Sequence, residues 1–110
     1  MNGSIVISTY PKEDDALNTA KKALEQRLAA CVSITNIRSL YWWEGKIVDD
    51  NEYLAIFKTL KSEVDALKRL IKENHPYTVP EIVELSMDDV SKSYLNWMMD
   101  SINVSKKIIE

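Results

Sequence analysis

The sequence predicts an α+β fold: a ferredoxin-like split β-α-β sandwich with an extra C-terminal helix, in a single domain over residues 1–110. The first observation behind this is the order of the segments, which is strand, helix, strand, strand, helix, strand and helix. Helices packed on one face of an antiparallel sheet satisfy this order with short connections. The second observation is the scarcity of linker residues, since the chain has 2 Gly and 3 Pro.

The N-terminal part predicts a strand followed by a helix. Ser4–Thr9, "SIVIST", is short, β-branched and apolar, which is typical of a buried strand. Three acidic residues at positions 13–15 favour a helix start there, where the macrodipole is positive. In this helix Leu17, Ala20, Leu24 and Leu28 follow at helical spacing, with charged and polar residues on the other side. We expect the helix to end near Ala29-Ala30.

The middle of the chain predicts a hairpin of two long strands. Residues 31–43 are β-branched and aromatic, with Thr35-Asn36 as an interruption that predicts a bulge. Glu44-Gly45 predicts a tight turn, because glycine accepts a positive φ without steric cost. The return strand is predicted over Lys46 to Thr59.

The C-terminal part predicts a helix, a strand and a further short helix. Ser62 is expected to cap the second helix, with Asp65 three residues later as a variant of the capping box. This helix should end by Asn74, since a proline follows closely. Residues 81–87, "EIVELSM", read as the last strand, and Ser91 is expected to open the third helix.

The composition excludes several classes of partner. The net charge of −3 provides no basic field for a nucleic acid or an anionic membrane. No segment approaches the roughly 20 apolar residues of a membrane span, and the N-terminus lacks the pattern of a signal peptide. The lone Cys31 can form no intramolecular disulfide. We therefore expect a cytoplasmic protein with no nucleic-acid partner.

Two adjacent tryptophans raise the question of what covers the sheet. Neighbouring side chains of a strand point to opposite faces, so Trp42 and Trp43 should face opposite ways. We expect one indole in the core of its own subunit and the other in a neighbour's. A self-association interface is predicted to include Tyr41, Trp42, Trp43, Tyr53 and Phe57. The alternatives are a third helix folded over this face, or a stacking platform for nucleic acid, which the acidic charge disfavours.

Four segments together resemble the CutA family of divalent-cation tolerance proteins. They are "LEQRLAACVSI", "SLYWWEGKI", "NHPYTVPEIVEL" and "YLNWM", in one register from Thr9 to Trp97. The resemblance implies a tight homotrimer of ferredoxin-like subunits that share strands, and a role in tolerance of divalent cations such as copper. It also implies kinship with PII-type signalling trimers, which bind small ligands at subunit clefts.

A metal site would need converging imidazole, thiolate and carboxylate ligands. In the predicted fold, Cys31 and His75 lie at opposite ends of the sheet and should not meet. His75 could approach Ser8, Thr9 or Glu81, because the ends of the first and last strands are neighbours. The sequence thus offers His75 and Glu81 as candidate ligands for copper or another divalent cation, with no cofactor required. The alternative is that His75 is a polar loop residue bonded to the backbone.

A small-ligand site is the second possibility, and it makes the protein a PII-like trimeric regulator without a metal role. The candidate cleft residues are Tyr77, Glu81, Lys58, Trp43 and Tyr94. The alternative is that these residues simply hold the subunits together.

An enzymatic role is not expected. Acylphosphatases share the subunit topology and need a loop after the first strand that cradles phosphate. Here this loop is "STYPKEDD", which has no glycine and three acidic residues that repel phosphate. The sequence shows neither a Ser-His-Asp arrangement nor a glycine-rich nucleotide motif.

Overall fold

A computed structural model describes the backbone of residues 2–109 and the side chains of residues 2–103. Its elements are β1 (Gly3–Tyr10), α1 (Glu13–Glu25), β2 (Cys31–Trp43), β3 (Lys46–Leu60), a 3-10 turn (Lys61–Glu63), α2 (Val64–Glu73), β4 (Val83–Ser86) and α3 (Lys92–Ile109). The four strands form one sheet in the order β2-β3-β1-β4, and all neighbouring strands are antiparallel. This confirms the predicted ferredoxin-like order with an additional helix at its end.

The main core lies between α1, α2 and one face of the sheet. Val6 of β1 lies opposite Phe57 of β3, and both side chains are fully buried. They belong to one apolar cluster with Ala16 of α1 and with Leu67 and Ile71 of α2. Because α2 presents its buried residues at helical spacing, its apolar stripe covers the centre of the sheet.

One predicted interface residue lies inside this core. Phe57 is 0% exposed, so it offers no surface to a neighbouring subunit, and its prediction as an interface residue was wrong. Tyr53 also packs partly against the core cluster. The sequence alternation separates Tyr53 and Phe57 from Leu54 and Ile56, but it does not tell which set faces the helices.

The opposite face of the sheet is covered by α3 at one end. Leu60, Met98 and Ile102 form a second buried cluster there. Gly3 pairs with Leu60, and a Cβ on Gly3 would come within 2.6 Å of Met87 Sδ. A side chain at position 3 would therefore require the flexible side chain of Met87 to move. The alternative that the third helix folds over this face is right for this end only, because farther along the face Val83 and Leu85 of β4 are 42% and 49% exposed.

The hairpin extends far beyond the rest of the sheet. β1 ends at Tyr10, which pairs with Tyr53, so residues 37–52 pair only with each other. We call this two-stranded segment the arm. The turn at its tip has positive φ at Glu44 (50°) and Gly45 (75°), which confirms the predicted tight turn and matches the twist of a two-residue hairpin.

The bulge predicted at Thr35-Asn36 is absent. Thr35 pairs with Leu54 and Asn36 with Tyr53, in a register that continues unbroken along both strands. The Asn36 amide instead donates a hydrogen bond of 3.2 Å to the backbone carbonyl of Glu52 across the ladder. A polar side chain with such a partner needs no irregular backbone.

Two predicted helix boundaries were wrong. α1 ends at Glu25, because Arg27 adopts a positive φ of 58° and the Arg27 and Leu28 amides donate to the Leu24 and Ala23 carbonyls. This is a Schellman motif.

Ser62 lies in the 3-10 turn and forms no side-chain cap of α2. The end of α2 before Asn74 is confirmed. The Ser91 hydroxyl accepts a hydrogen bond of 3.4 Å from the Tyr94 amide, as expected of a residue that opens α3.

Candidate functional site

The arm carries large apolar side chains that its own chain leaves exposed. Trp42 is 72% and Trp43 52% exposed, on opposite faces of the arm. Leu40 is 65% and Ile47 64% exposed, and Ile47 pairs with Trp42. The expectation that one indole lies in its own core was wrong, because the arm reaches past the ends of β1 and the helices.

His75 follows α2 and packs against the end of β1. Its ring stacks on Tyr10, with ring centroids 4.3 Å apart and planes inclined by 15°. Its Nε2 lies 3.1 Å from Ser8 Oγ, as expected from the strand order. The backbone amide of Tyr77 donates to His75 Nδ1 over 3.1 Å. Nδ1 therefore carries no proton, and the proton on Nε2 is donated to the hydroxyl of Ser8.

This arrangement favours the neutral imidazole. Burial lowers the pKa of His75 below its ordinary value, and a backbone hydrogen bond at Thr9 opposes this in part. Protonation would also place a second donor on Nδ1, opposite the amide of Tyr77. Both ring nitrogens are thus already used within the chain.

The residues around His75 do not fit a resident metal ion within one chain. Among the side chains described (residues 2–103), no group of three His, Cys, Asp or Glu is placed to hold a metal. Cys31 lies far from His75 and contacts Tyr94 of α3 instead, as the strand order predicted. Any metal at His75 would have to displace the hydrogen bond to Ser8 or that from the amide of Tyr77.

Ser8 and His75 do not form a hydrolytic pair. Ser8 is 0% exposed, so no substrate can reach its hydroxyl. The third group is a backbone amide that donates to Nδ1, whereas a catalytic histidine needs an acceptor there to stabilise the imidazolium. The contact is a structural hydrogen bond.

A pocket of about 710 Å³ lies between the arm and the loop of residues 76–81. Its lining includes Tyr41, Trp43 and Tyr77 as well as the carboxylates Glu52 and Glu81. Of the predicted cleft residues, the structure brings Trp43, Tyr77 and Glu81 together here. A volume of this size is within the range of small-molecule sites, roughly 300–1,000 Å³.

Two predicted cleft residues lie elsewhere in the chain. Lys58 pairs with Cys31, and its ammonium lies 3.4 Å from the hydroxyl of Ser33. Tyr94 packs beside Trp97 on α3, with ring centroids 5.4 Å apart. Neither residue lines the pocket.

Glu52 lines the pocket, although it is not among the residues predicted from the sequence. It is 6% exposed, and its Oε2 accepts a hydrogen bond of 2.9 Å from the hydroxyl of Tyr77. Burial and this bond to a carboxylate raise the pKa of Tyr77 well above its ordinary value. The sequence does carry a signal for this residue. Side chains of a strand alternate between its two faces, so Glu52 lies on the same face as Leu54 and Ile56 and is an acid in an apolar stripe.

A second acid missed at the sequence level holds β4 in place. Glu84 accepts a hydrogen bond of 3.0 Å from Ser4 and lies 2.5 Å from the ammonium of Lys61 and 3.3 Å from that of Lys68. These partners, Lys61 foremost, lower the pKa of Glu84 to about 2. The cluster joins the four-residue edge strand to the 3-10 turn and α2, which gives it a structural role.

Comparison with known proteins points to one family. Residues 4–101 match the family described as CutA1 divalent ion tolerance protein. The divalent-cation tolerance protein CutA of Thermotoga maritima is 43% identical over 98 residues, which cover 89% of this chain and 97% of the relative. That of Pyrococcus horikoshii is 44% identical over 96 residues, with coverages of 87% and 94%.

Solved structures agree in fold. The crystal structure of CutA1 from Pyrococcus horikoshii superposes with a TM-score of 0.86 at 42% identity, covering 89% of this chain and 96% of that one. The periplasmic divalent cation tolerance protein CutA from Archaeoglobus fulgidus gives a TM-score of 0.88 at 34% identity, with coverages of 91% and 98%. Within the described part of this chain, no helix is long and apolar enough to cross a membrane.

Proposed function

The chain belongs to the CutA1 divalent ion tolerance family, and on this premise we propose that it acts in divalent-cation tolerance as a cytoplasmic homotrimer without enzymatic activity. The family supports the role in cation tolerance, and the observation that carries the assembly is the uncovered arm. Trp42 and Trp43 expose most of their indoles on opposite faces, and burying one tryptophan removes roughly 150–250 Å² from water. Monomeric proteins rarely leave contiguous apolar patches larger than a few hundred Å².

The two-faced arm favours a ring over a two-fold dimer. In a two-fold dimer each chain has one neighbour, whereas in a ring of three it has two. Trp42 with Ile47 presents one apolar face, and Trp43 with Tyr41 presents the other. Two neighbours can cover both faces at once, which supports a homotrimer.

His75 and Glu81 are the candidate cation ligands under this proposal. The described side chains of one chain form no group of three such ligands, so a divalent cation would be held weakly or with a ligand from a second subunit. Isothermal titration with Cu²⁺ tests this point. We expect weak binding to the wild-type protein and a further loss in His75→Ala; equal affinity in the two proteins would remove His75 from the proposal.

A second candidate function is a PII-like regulator that binds a small molecule, and the pocket beside Trp43 and Tyr77 favours it. Native mass spectrometry of the purified oligomer tests this candidate. A co-purified small molecule lost in Trp43→Leu supports it, and an oligomer whose mass equals that of its chains alone counts against it.

The proposal of a non-enzymatic role is supported by the buried hydroxyl of Ser8 and by the acidic loop after β1. Hydrolysis of an acyl phosphate above a buffer blank would contradict it. The cytoplasmic location is proposed from the lone thiol of Cys31, which suits a reducing compartment. Cell fractionation tests it, since recovery with periplasmic markers would overturn it.

A further inference from the structure

The pocket between the arm and the 76–81 loop has an uneven chemistry. Three aromatic side chains, Tyr41, Trp43 and Tyr77, line it together with the carboxylates Glu52 and Glu81. No Lys, Arg or His is among the described residues that line it. Aromatic faces carry negative electrostatic potential, as the carboxylates do. The pocket is therefore suited to a positive charge and opposed to an anion.

Glu52 strengthens this conclusion because its charge is almost removed from water. Its residue is 6% exposed, and its partner is the neutral hydroxyl of Tyr77 at 2.9 Å. No ammonium or guanidinium of residues 2–103 lies within ion-pair distance of it. A buried carboxylate without a cation is costly, and a bound cation would lower that cost. At the arm, Asp50 accepts a bond of 3.2 Å from Tyr41 and adds a further negative charge nearby.

The size and shape of the site distinguish an organic cation from a metal ion. A hard cation takes about six oxygen ligands in a compact shell. The described side chains form no group of three that could hold a metal, and the cavity of about 710 Å³ is far larger than such a shell. Aromatic side chains around a carboxylate are instead the arrangement that recognises alkylated ammonium groups.

We propose that this pocket binds an organic ammonium ion, with its charge against Glu52 and its alkyl groups against Trp43 and Tyr77. The inference rests on the second candidate function and specifies the ligand class of that site. It does not depend on cation capture by His75, whose ring nitrogens are used within the chain.

The test compares two molecules of the same shape. Choline and its neutral carbon isostere, 3,3-dimethylbutan-1-ol, are titrated separately into the wild-type oligomer by calorimetry. We expect choline to bind at least tenfold more tightly than the isostere, since only choline gains the interaction with the carboxylate and the rings. Equal affinity for the two molecules, or no binding of choline, would overturn the proposal.

Matched variants locate the binding. Glu52→Gln and Glu81→Gln each remove one carboxylate charge of the pocket and keep the shape of the side chain. Each should weaken choline at least tenfold, whereas Trp97→Leu, on α3 and outside the pocket, should leave it unchanged. If neither pocket variant changes choline affinity, the ligand class is wrong.

Other outcomes separate this inference from the proposed function. If a neighbouring subunit fills the pocket, the wild-type oligomer will bind no choline while its mass remains that of a trimer, which overturns the inference and leaves the assembly. A different result of native mass spectrometry would be a neutral or anionic molecule whose binding is lost in Trp43→Leu. That result supports the function as a small-molecule regulator and overturns the ammonium ligand. A choline site in a protein that proves monomeric would keep the inference and contradict the assembly.

Discussion

The hydroxyl of Tyr77 donates a hydrogen bond of 2.9 Å to Oε2 of Glu52, and this contact joins the loop after α2 to the base of the arm. Tyr77 is also held from its other side, because its amide donates to His75 Nδ1. One residue thus connects the arm, the pocket and the end of β1. These two hydrogen bonds link the base of the arm to the loop after α2.

Tyr77→Phe should therefore destabilise the protein. It keeps the ring but leaves the buried carboxylate of Glu52 without its donor, which costs about 1–3 kcal/mol. Urea denaturation should show this loss in the free energy of unfolding. Tyr94→Phe is the control, because the hydroxyl of Tyr94 meets the weakly bonding thiol of Cys31. An equal loss in the free energy of unfolding for the two substitutions would show that the hydrogen bond to Glu52 does not stabilise the protein.

His75 should make stability depend on pH in the mildly acidic range. Its pKa is lowered in the folded protein, chiefly by burial, from an ordinary value of 6.5. The unfolded chain therefore binds the proton more tightly than the folded protein does. The contribution of the neutral His75 to stability is complete above pH 6.5 and is lost as the pH falls below it. Denaturation at a series of pH values should show this slope in the wild type and a flatter one in His75→Gln. An unchanged slope in the variant would contradict the neutral ring.

Glu84 should act at lower pH. Its pKa falls from 4.5 to about 2 on folding, so the unfolded state binds more protons between these values. The contribution of Glu84 is present above pH 4.5 and disappears as the pH falls toward 2. Glu84→Gln should flatten the dependence in this window, while Glu25→Gln, an exposed glutamate at the end of α1, should keep it. A wild type whose stability does not change across the window would count against the Lys61–Glu84 contact.

Arg27 offers a test of backbone strain. Its φ of 58° lies in the left-handed region, where a Cβ costs roughly 1 kcal/mol relative to glycine. Arg27→Gly should therefore be more stable than Arg27→Ala by about 1 kcal/mol in thermal or urea unfolding. Both variants lose the exposed hydrogen bond from the guanidinium to the Ser101 carbonyl, so their difference isolates the backbone. Equal stabilities would mean that the segment relaxes without strain.

Much of the fold could be predicted from the sequence because it depends on local patterns. The tight turn follows from Glu44-Gly45, and the proximity of His75 to Ser8 follows from the strand order. The length of the arm could not be predicted, because it depends on how far β2 and β3 extend beyond the end of β1. β1 has 8 residues, whereas β2 has 13 and β3 has 15, so about half of the hairpin lacks a third strand.

The candidate site was harder to predict for a physical reason. Trp43, Tyr77 and Glu81 could be named from their chemistry, but the partner of Tyr77 depends on the path of an irregular loop. Glu52 follows two other acids, Asp49 and Asp50, and was not predicted as a site residue, although it lies on the same face of β3 as Leu54. A lone acid in phase with an apolar stripe is the signal that would have identified it.

The mass of the protein in solution tests the central claim, that the arm is covered by neighbouring copies. Light scattering should give about three times the chain mass of 12.6 kDa for the wild type. Trp42→Ala and Trp43→Ala should shift the population toward smaller species, because each removes a large apolar contact. Leu24→Ala, at an exposed position of α1, is the control and should leave the mass unchanged. A wild-type mass of a single chain would contradict the account.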